Sequence, residues 1–198
     1  GGPKAFNEEV VRYNSIGAEE TTAAIKVVES GLLSQFLGEW DPDFYGGPKV
    51  RKFEDCWSNY FKVKHSVSVN SCTSGLMVAL GAIGIEPGDE VIVSTWTMCA
   101  SATSILIWNA IPVFADIEDE TFNLDPRSIE KNITLYTKAI VVSNIFGHGA
   151  KLNEIKSIAK KHKLKIIEDN AQAPGALFDG QYTGTIGDIG VFSLNYHK

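Results

Sequence analysis

Four places in the sequence hold residue types that do chemistry at the end of a predicted strand. Lys198 stands five positions after Ser193, which lies just past the apolar run Ile189-Gly190-Val191-Phe192. A lysine amine attacks carbonyl groups once desolvation or a nearby cation favours its neutral form, although a terminal lysine taken alone reads as an ordinary solvated side chain. In "VNSCTSGL" (69–76) small hydroxylated residues follow a predicted strand and open a helix. The amides of that helix start, with the Thr73 and Ser74 hydroxyls, suit an anion such as phosphate; a plain N-cap by Ser71 or Thr73 reads equally well. In "VSTWTMCA" (93–100) Trp96 sits at a turn where its ring either stacks on a flat ligand or closes the rim of the core. In "IIEDNAQAPGA" (166–176) Asp169 ends an apolar strand, with Gln172 three residues on. A carboxylate there needs a cation or a donor, and a protonated ring nitrogen or a neighbouring turn would each serve.

These residues need a scaffold of alternating strands and helices, and the chain supplies one. Strands are predicted at 66–70, 90–94, 111–116, 138–145, 164–169 and 189–192. Helices are predicted at 18–30 (ended by Gly31), from Pro48 with Val50, Phe53, Trp57 and Phe61 on one face, at 73–83, 98–108 and 151–162, and briefly after 124–126. The segment 38–48 is rich in Gly, Pro and Asp and reads as a loop. Repeated β-α-β order with a nearly continuous apolar strand at 138–145 predicts an α/β fold, a mostly parallel mixed sheet with helices on both faces.

The 198 residues, 44% hydrophobic and 21% charged, suit one large globular domain. A net charge of −6 without a basic block argues against nucleic-acid binding, and no apolar run is long enough for a membrane span or a secretory signal. Three scattered cysteines (Cys56, Cys72, Cys99) suggest reduced thiols and a cytoplasmic setting. Four histidines without ligand spacing argue against a metal site. Neither GxxxxGK[ST] nor GxGxxG is present, which weakens an NAD-binding reading.

A phosphate site, a stacking ring, a strand-end acid and a distal lysine are together the parts that hold pyridoxal 5'-phosphate (PLP). The wording of the chain then resembles the DegT/DnrJ/StrS nucleotide-sugar aminotransferases, within the fold-type I PLP enzymes. The matching segments are "GGPKVRKFE" (46–54), "NSCTSGL" (70–76), "GIEPGDEVIV" (84–93), "AIPVFADIEDETFNLDP" (110–126), "TKAIVV" (137–142), "IEDNAQAPGA" (167–176) and "GTIGDIGVFSLNYHK" (184–198).

The resemblance implies a role for each matched position. Lys198 is the Schiff-base lysine and general acid/base, and Asp169 is the partner of the pyridine nitrogen. Gln172 bonds the side of the ring hydroxyl, Trp96 stacks on the ring, and Ala171 packs on its other face. Thr73, Ser74 and Ser193 hold the phosphate. Cys72 stands where the family often has Gly, and Trp96 where it has Tyr or Phe.

The resemblance further implies an N-terminal helix-and-loop segment (1–47) before a PLP-binding large domain (48–198). It implies a chain that continues about as long again, into a small C-terminal domain absent here. A homodimer follows, as does amino transfer from an amino acid, glutamate, to a keto-sugar on a nucleoside diphosphate, in amino-sugar and lipopolysaccharide biosynthesis. A dehydratase branch replaces the lysine with histidine. His197 lies next door, but the count from Ser193 puts Lys198 in the lysine register, which favours transamination. A non-catalytic PLP-binding regulator is the remaining alternative.

Overall fold

The computed structural model describes residues 2–3, 14–33 and 35–196. The chain divides into two compact units, Gly1–Cys56 and Trp57–Lys198.

In the first unit, α1 (Ala18–Ser30) begins where the Glu20 side chain accepts from Gly17 N at 2.7 Å. It ends at Gly31, whose φ of 69° is left-handed backbone that glycine adopts without a Cβ penalty. The predicted loop 38–48 contains one short 3-10 turn, Pro42–Tyr45, opened by Asp41 accepting from Asp43 N at 2.9 Å. Helix α2 (Pro48–Phe61) starts on the predicted proline and carries the unit boundary within it.

The second unit is built on five parallel strands: β1 (Glu90–Ser94), β2 (Ile111–Ala115), β3 (Thr137–Ser143), β4 (Lys165–Asp169) and β7 (Ile189–Val191), in the order β2-β1-β3-β4-β7. Between them run α3 (Cys72–Ala82), α4 (Cys99–Leu106), α5 (Pro126–Lys131) and α6 (Leu152–His162). Successive strand residues point to opposite faces. Val91, Val93, Ala139, Val141, Ile167 and Val191 therefore pack under α3 and α4, against Leu76, Leu80 and Ile105. Ile92, Ile140, Val142 and Ile166 face the other way, onto Ile129 of α5 and Leu152, Ile155 and Ile158 of α6. Both faces of the central strands are covered, which is why β1 and β3 read as largely apolar runs, while the edge strand β2 keeps Ile111 and Phe114 half exposed. A separate antiparallel hairpin is formed by β5 (Leu177–Phe178) and β6 (Gln181–Tyr182).

One predicted element is corrected. Residues 66–70 form no strand, although Ser-Val-Ser-Val alternates as a half-buried strand would. Val67 is 78% exposed, and no strand pairs with the segment among the described residues. Alternation signals a strand only where a neighbour takes up its backbone hydrogen bonds.

Beyond the sheet, the ring of Phe192 lies 4.9 Å from that of Phe61 and 5.1 Å from that of Trp57, which fixes the backbone just before Ser193. The neighbouring β7 leaves no room for a side chain at Gly190, because a Cβ there would sit 1.8 Å from the Gly184 carbonyl oxygen. Gly190→Ala is expected to lower the unfolding free energy of the full-length protein by about 3 kcal/mol, read as a shifted denaturation midpoint at unchanged slope.

Candidate active site at the carboxyl ends of the strands

The crossover from β1 runs through α4 on one face to β2, and that from β3 runs through α6 on the other face to β4. The order of the sheet reverses between β1 and β3. In open α/β sheets the crevice outside the carboxyl ends at such a point is where ligands bind. Ser143, Asp169 and Val191 lie side by side in register at these ends of β3, β4 and β7.

Asp169 is buried, with 6% of its surface exposed. Its Oδ2 accepts from Ser101 Oγ at 2.6 Å and its Oδ1 from Ala171 N at 3.2 Å. The second bond closes a tight turn, so part of the turn-capping role open to this carboxylate is realised. It makes no ion pair among the described residues. These two neutral donors leave each oxygen of Asp169 with further acceptor capacity, which a cationic donor would suit.

Its neighbour Glu168 points to the other face and is wholly buried. Oε1 accepts from Ile186 N and Gly187 N, both at 2.7 Å, and Oε2 accepts from Gly184 N at 2.7 Å and Asn144 Nδ2 at 3.0 Å. All four partners donate, so only an acceptor fits, and the carboxylate ties the 184–187 turn to β4. Glu168→Gln would set an NH2 group against those donors. We expect a cost of about 3 kcal/mol and faster hydrogen exchange at Gly184, Ile186 and Gly187, read by exchange mass spectrometry.

Helix α3 opens on Ser71, whose Oγ accepts from Ser74 N at 3.1 Å and donates to Ser74 Oγ at 3.0 Å. The N-cap is therefore present, and it leaves the Ser74 hydroxyl proton for another acceptor. Thr73 and Ser74 are both half-buried in this first turn. A Cβ at Gly75 would meet Val191 Cγ1 at 2.7 Å, so its absence lets the first turn of α3 lie against the end of β7, one register position from Asp169.

The Trp96 ring is 53% exposed and so does not close the core; it lies 6.3 Å from the ring of Phe122. Gln172 Oε1 accepts from Phe146 N at 3.1 Å, with its amide donors unused among the described residues. Ala171 and Ser193 are half-buried, and Ser193 Oγ accepts from Asn195 N at 3.2 Å. Lys198 and His197 lie outside the described residues.

The sequence reading missed Ser101, Thr97 and Ser143. Thr97 Oγ1 lies 2.8 Å from Ser143 Oγ and 3.1 Å from Ser101 Oγ. Ser101 is 68 positions from Asp169 in sequence and Thr97 is 46 from Ser143, so only the topology joins them. Glu168, by contrast, carried a signal: a second carboxylate inside an apolar strand.

Residues 20–198 match the model of the DegT/DnrJ/EryC1/StrS aminotransferase family. The chain belongs to that family. Among its members, the chain is 44% identical over 148 residues to the L-glutamine:2-deoxy-scyllo-inosose aminotransferase of Streptomyces kanamyceticus, covering 75% of this chain and 35% of that protein. It is 42% identical over 152 residues to the GDP-perosamine synthase of Caulobacter vibrioides, covering 77% of this chain and 41% of that protein. The PLP form of a putative sugar aminotransferase from Streptococcus pneumoniae superposes with a TM-score of 0.80 at 28% identity, over 88% of this chain and 45% of that one. The family is one of PLP-dependent sugar aminotransferases with the fold-type I architecture. The chain spans less than half the length of each of these relatives.

Proposed function

We propose that the protein is a PLP-dependent aminotransferase that moves an amino group from glutamate to a keto-deoxy-hexose on a nucleoside diphosphate, for amino-sugar and polysaccharide biosynthesis. The observation that carries the reading is Asp169, a buried strand-end carboxylate with one neutral donor on each oxygen and no ion pair among the described residues. A protonated pyridine nitrogen is a cation of the required size and flatness. The available Ser74 hydroxyl and the exposed Trp96 ring suit the phosphate and the ring face of the same molecule.

In this reading, residues 48–198 form the cofactor-binding domain behind an N-terminal segment, 1–47. Asp169 pairs with the ring nitrogen. Trp96 and Ala171 hold the two ring faces, and Gln172 bonds the side of the ring hydroxyl. Thr73, Ser74 and Ser193 anchor the phosphate. When bound, PLP supplies an electron sink for charge developing at the donor's Cα. Lys198 would anchor the cofactor, and its Nζ would carry the proton away from the donor's Cα in the first half-reaction and deliver a proton to the carbon of the acceptor sugar that gains the amine in the second. The protein works as a cytoplasmic homodimer. Among the described residues, no helix is long and apolar enough to cross a membrane.

A second reading, with glutamine as donor and a cyclitol ketone as acceptor, is favoured by the 44% identity to the inosose aminotransferase. The deciding experiment incubates the full-length protein with PLP, each amino donor in turn, and either a nucleoside-diphosphate keto-sugar or a cyclitol ketone. Aminated nucleotide sugar formed from glutamate supports the first reading, and aminated cyclitol formed from glutamine replaces it with the second. The absence of any aminated product contradicts both.

A further inference from the structure

Three buried or half-buried hydroxyls, from the end of β3 (Ser143), the turn after β1 (Thr97) and the start of α4 (Ser101), run in a line to Asp169. We infer that Ser143, Thr97 and Ser101 form a one-way hydrogen-bond relay that positions Asp169 for the pyridine nitrogen, with Ser101 as the positioning residue. The inference rests on the PLP reading of the site.

The direction follows from counting protons. An ionised carboxylate only accepts, so Ser101 Oγ spends its single proton on Asp169 Oδ2, at 2.6 Å. Ser101 can then only accept from Thr97 Oγ1, at 3.1 Å. Thr97, its proton used, can only accept from Ser143 Oγ, at 2.8 Å. Each donor polarises the next, and in a water-poor site that adds to the strength of the final bond. Ser101 has no exposed surface and Ser143 has 6%, so water does not substitute for a lost hydroxyl. Ser101 Oγ and Ala171 N hold the two carboxylate oxygens from different elements, which fixes the plane of the group. The relay crosses β3, α4 and β4, and so makes the orientation of Asp169 depend on the packing of the sheet itself.

The test uses full-length protein freed of its cofactor and two probes: PLP, and its 1-deaza analogue, which lacks the ring nitrogen. The dissociation constant of each is measured by quenching of tryptophan fluorescence. Ser101→Ala is expected to weaken PLP binding about tenfold, the value of a hydrogen bond to a charged group, and to leave the 1-deaza analogue within about twofold. Ser101→Thr keeps the hydroxyl and restores PLP binding. Thr97→Val and Ser143→Ala leave Ser101 in place, and their effects fall off in that order. Equal weakening of both probes by Ser101→Ala, unchanged PLP binding, or a reversed order along the relay overturns the inference. Failure of the unsubstituted protein to bind PLP overturns instead the functional reading on which it rests.

Discussion

Lys198→Ala, made in the full-length protein, is expected to abolish amino transfer, by at least about a thousandfold, and to remove the visible absorbance of the bound cofactor. The size of the effect comes from the two roles given to one amine. In the proposed function it would hold the cofactor in place between turnovers as an anchor, and as a base it would move the proton that converts donor into product. The adjacent His197 is out of the lysine register by one position in the sequence. Binding of PLP through its phosphate and ring should survive, weakened, because Thr73, Ser74, Trp96 and Asp169 are untouched. Retained turnover in this variant, measured as aminated sugar by mass spectrometry, would remove the lysine from the account.

Asp169→Asn is expected to lower the turnover number about a hundredfold and to weaken PLP binding about tenfold, while the cofactor-free protein melts no lower than its parent. The isosteric amide keeps the shape of the site but removes the charge that the ring nitrogen pairs with. In the cofactor-free state that charge is buried with no ion pair among the described residues, so its loss relieves a desolvation cost instead of adding one. The Asn carbonyl oxygen can still accept from Ala171 N, and Ser101 can turn to accept from the new amide. A catalytic loss without a stability loss is therefore the signature of an acid kept for its ligand. A fall in melting temperature that matched the loss of turnover would make Asp169 a structural residue.

The strands of the sheet were legible because burial on both faces imposes unbroken apolar runs. The sequence-based expectation at 90–94 agrees with β1, and those at 138–145 and 164–169 lie within two residues of β3 and β4. The segment 66–70 was misread because its alternating valines carry no information about whether a partner strand lies alongside. The hairpin at 177–182 went unread although its signal was present. Asp179 and Gly180, with φ of 48° and 77°, form the Asp-Gly turn that twists as its strands do.

The candidate site was legible where a residue is out of place in its own segment. Asp169 in an apolar strand and Trp96 in a turn both stand out. Ser101, Thr97 and Ser143 do not, because a serine in a helix or at a strand end is ordinary in sequence, and its partner is fixed only by the fold.

The proposed function requires a covalent bond between Lys198 and PLP. The most direct measurement is borohydride reduction of the PLP-loaded full-length protein, followed by digestion and peptide mass spectrometry. The expected product is a phosphopyridoxyl group on the peptide that contains Lys198 and on no other lysine. The same group on a different lysine, or a protein that takes up none, would contradict it.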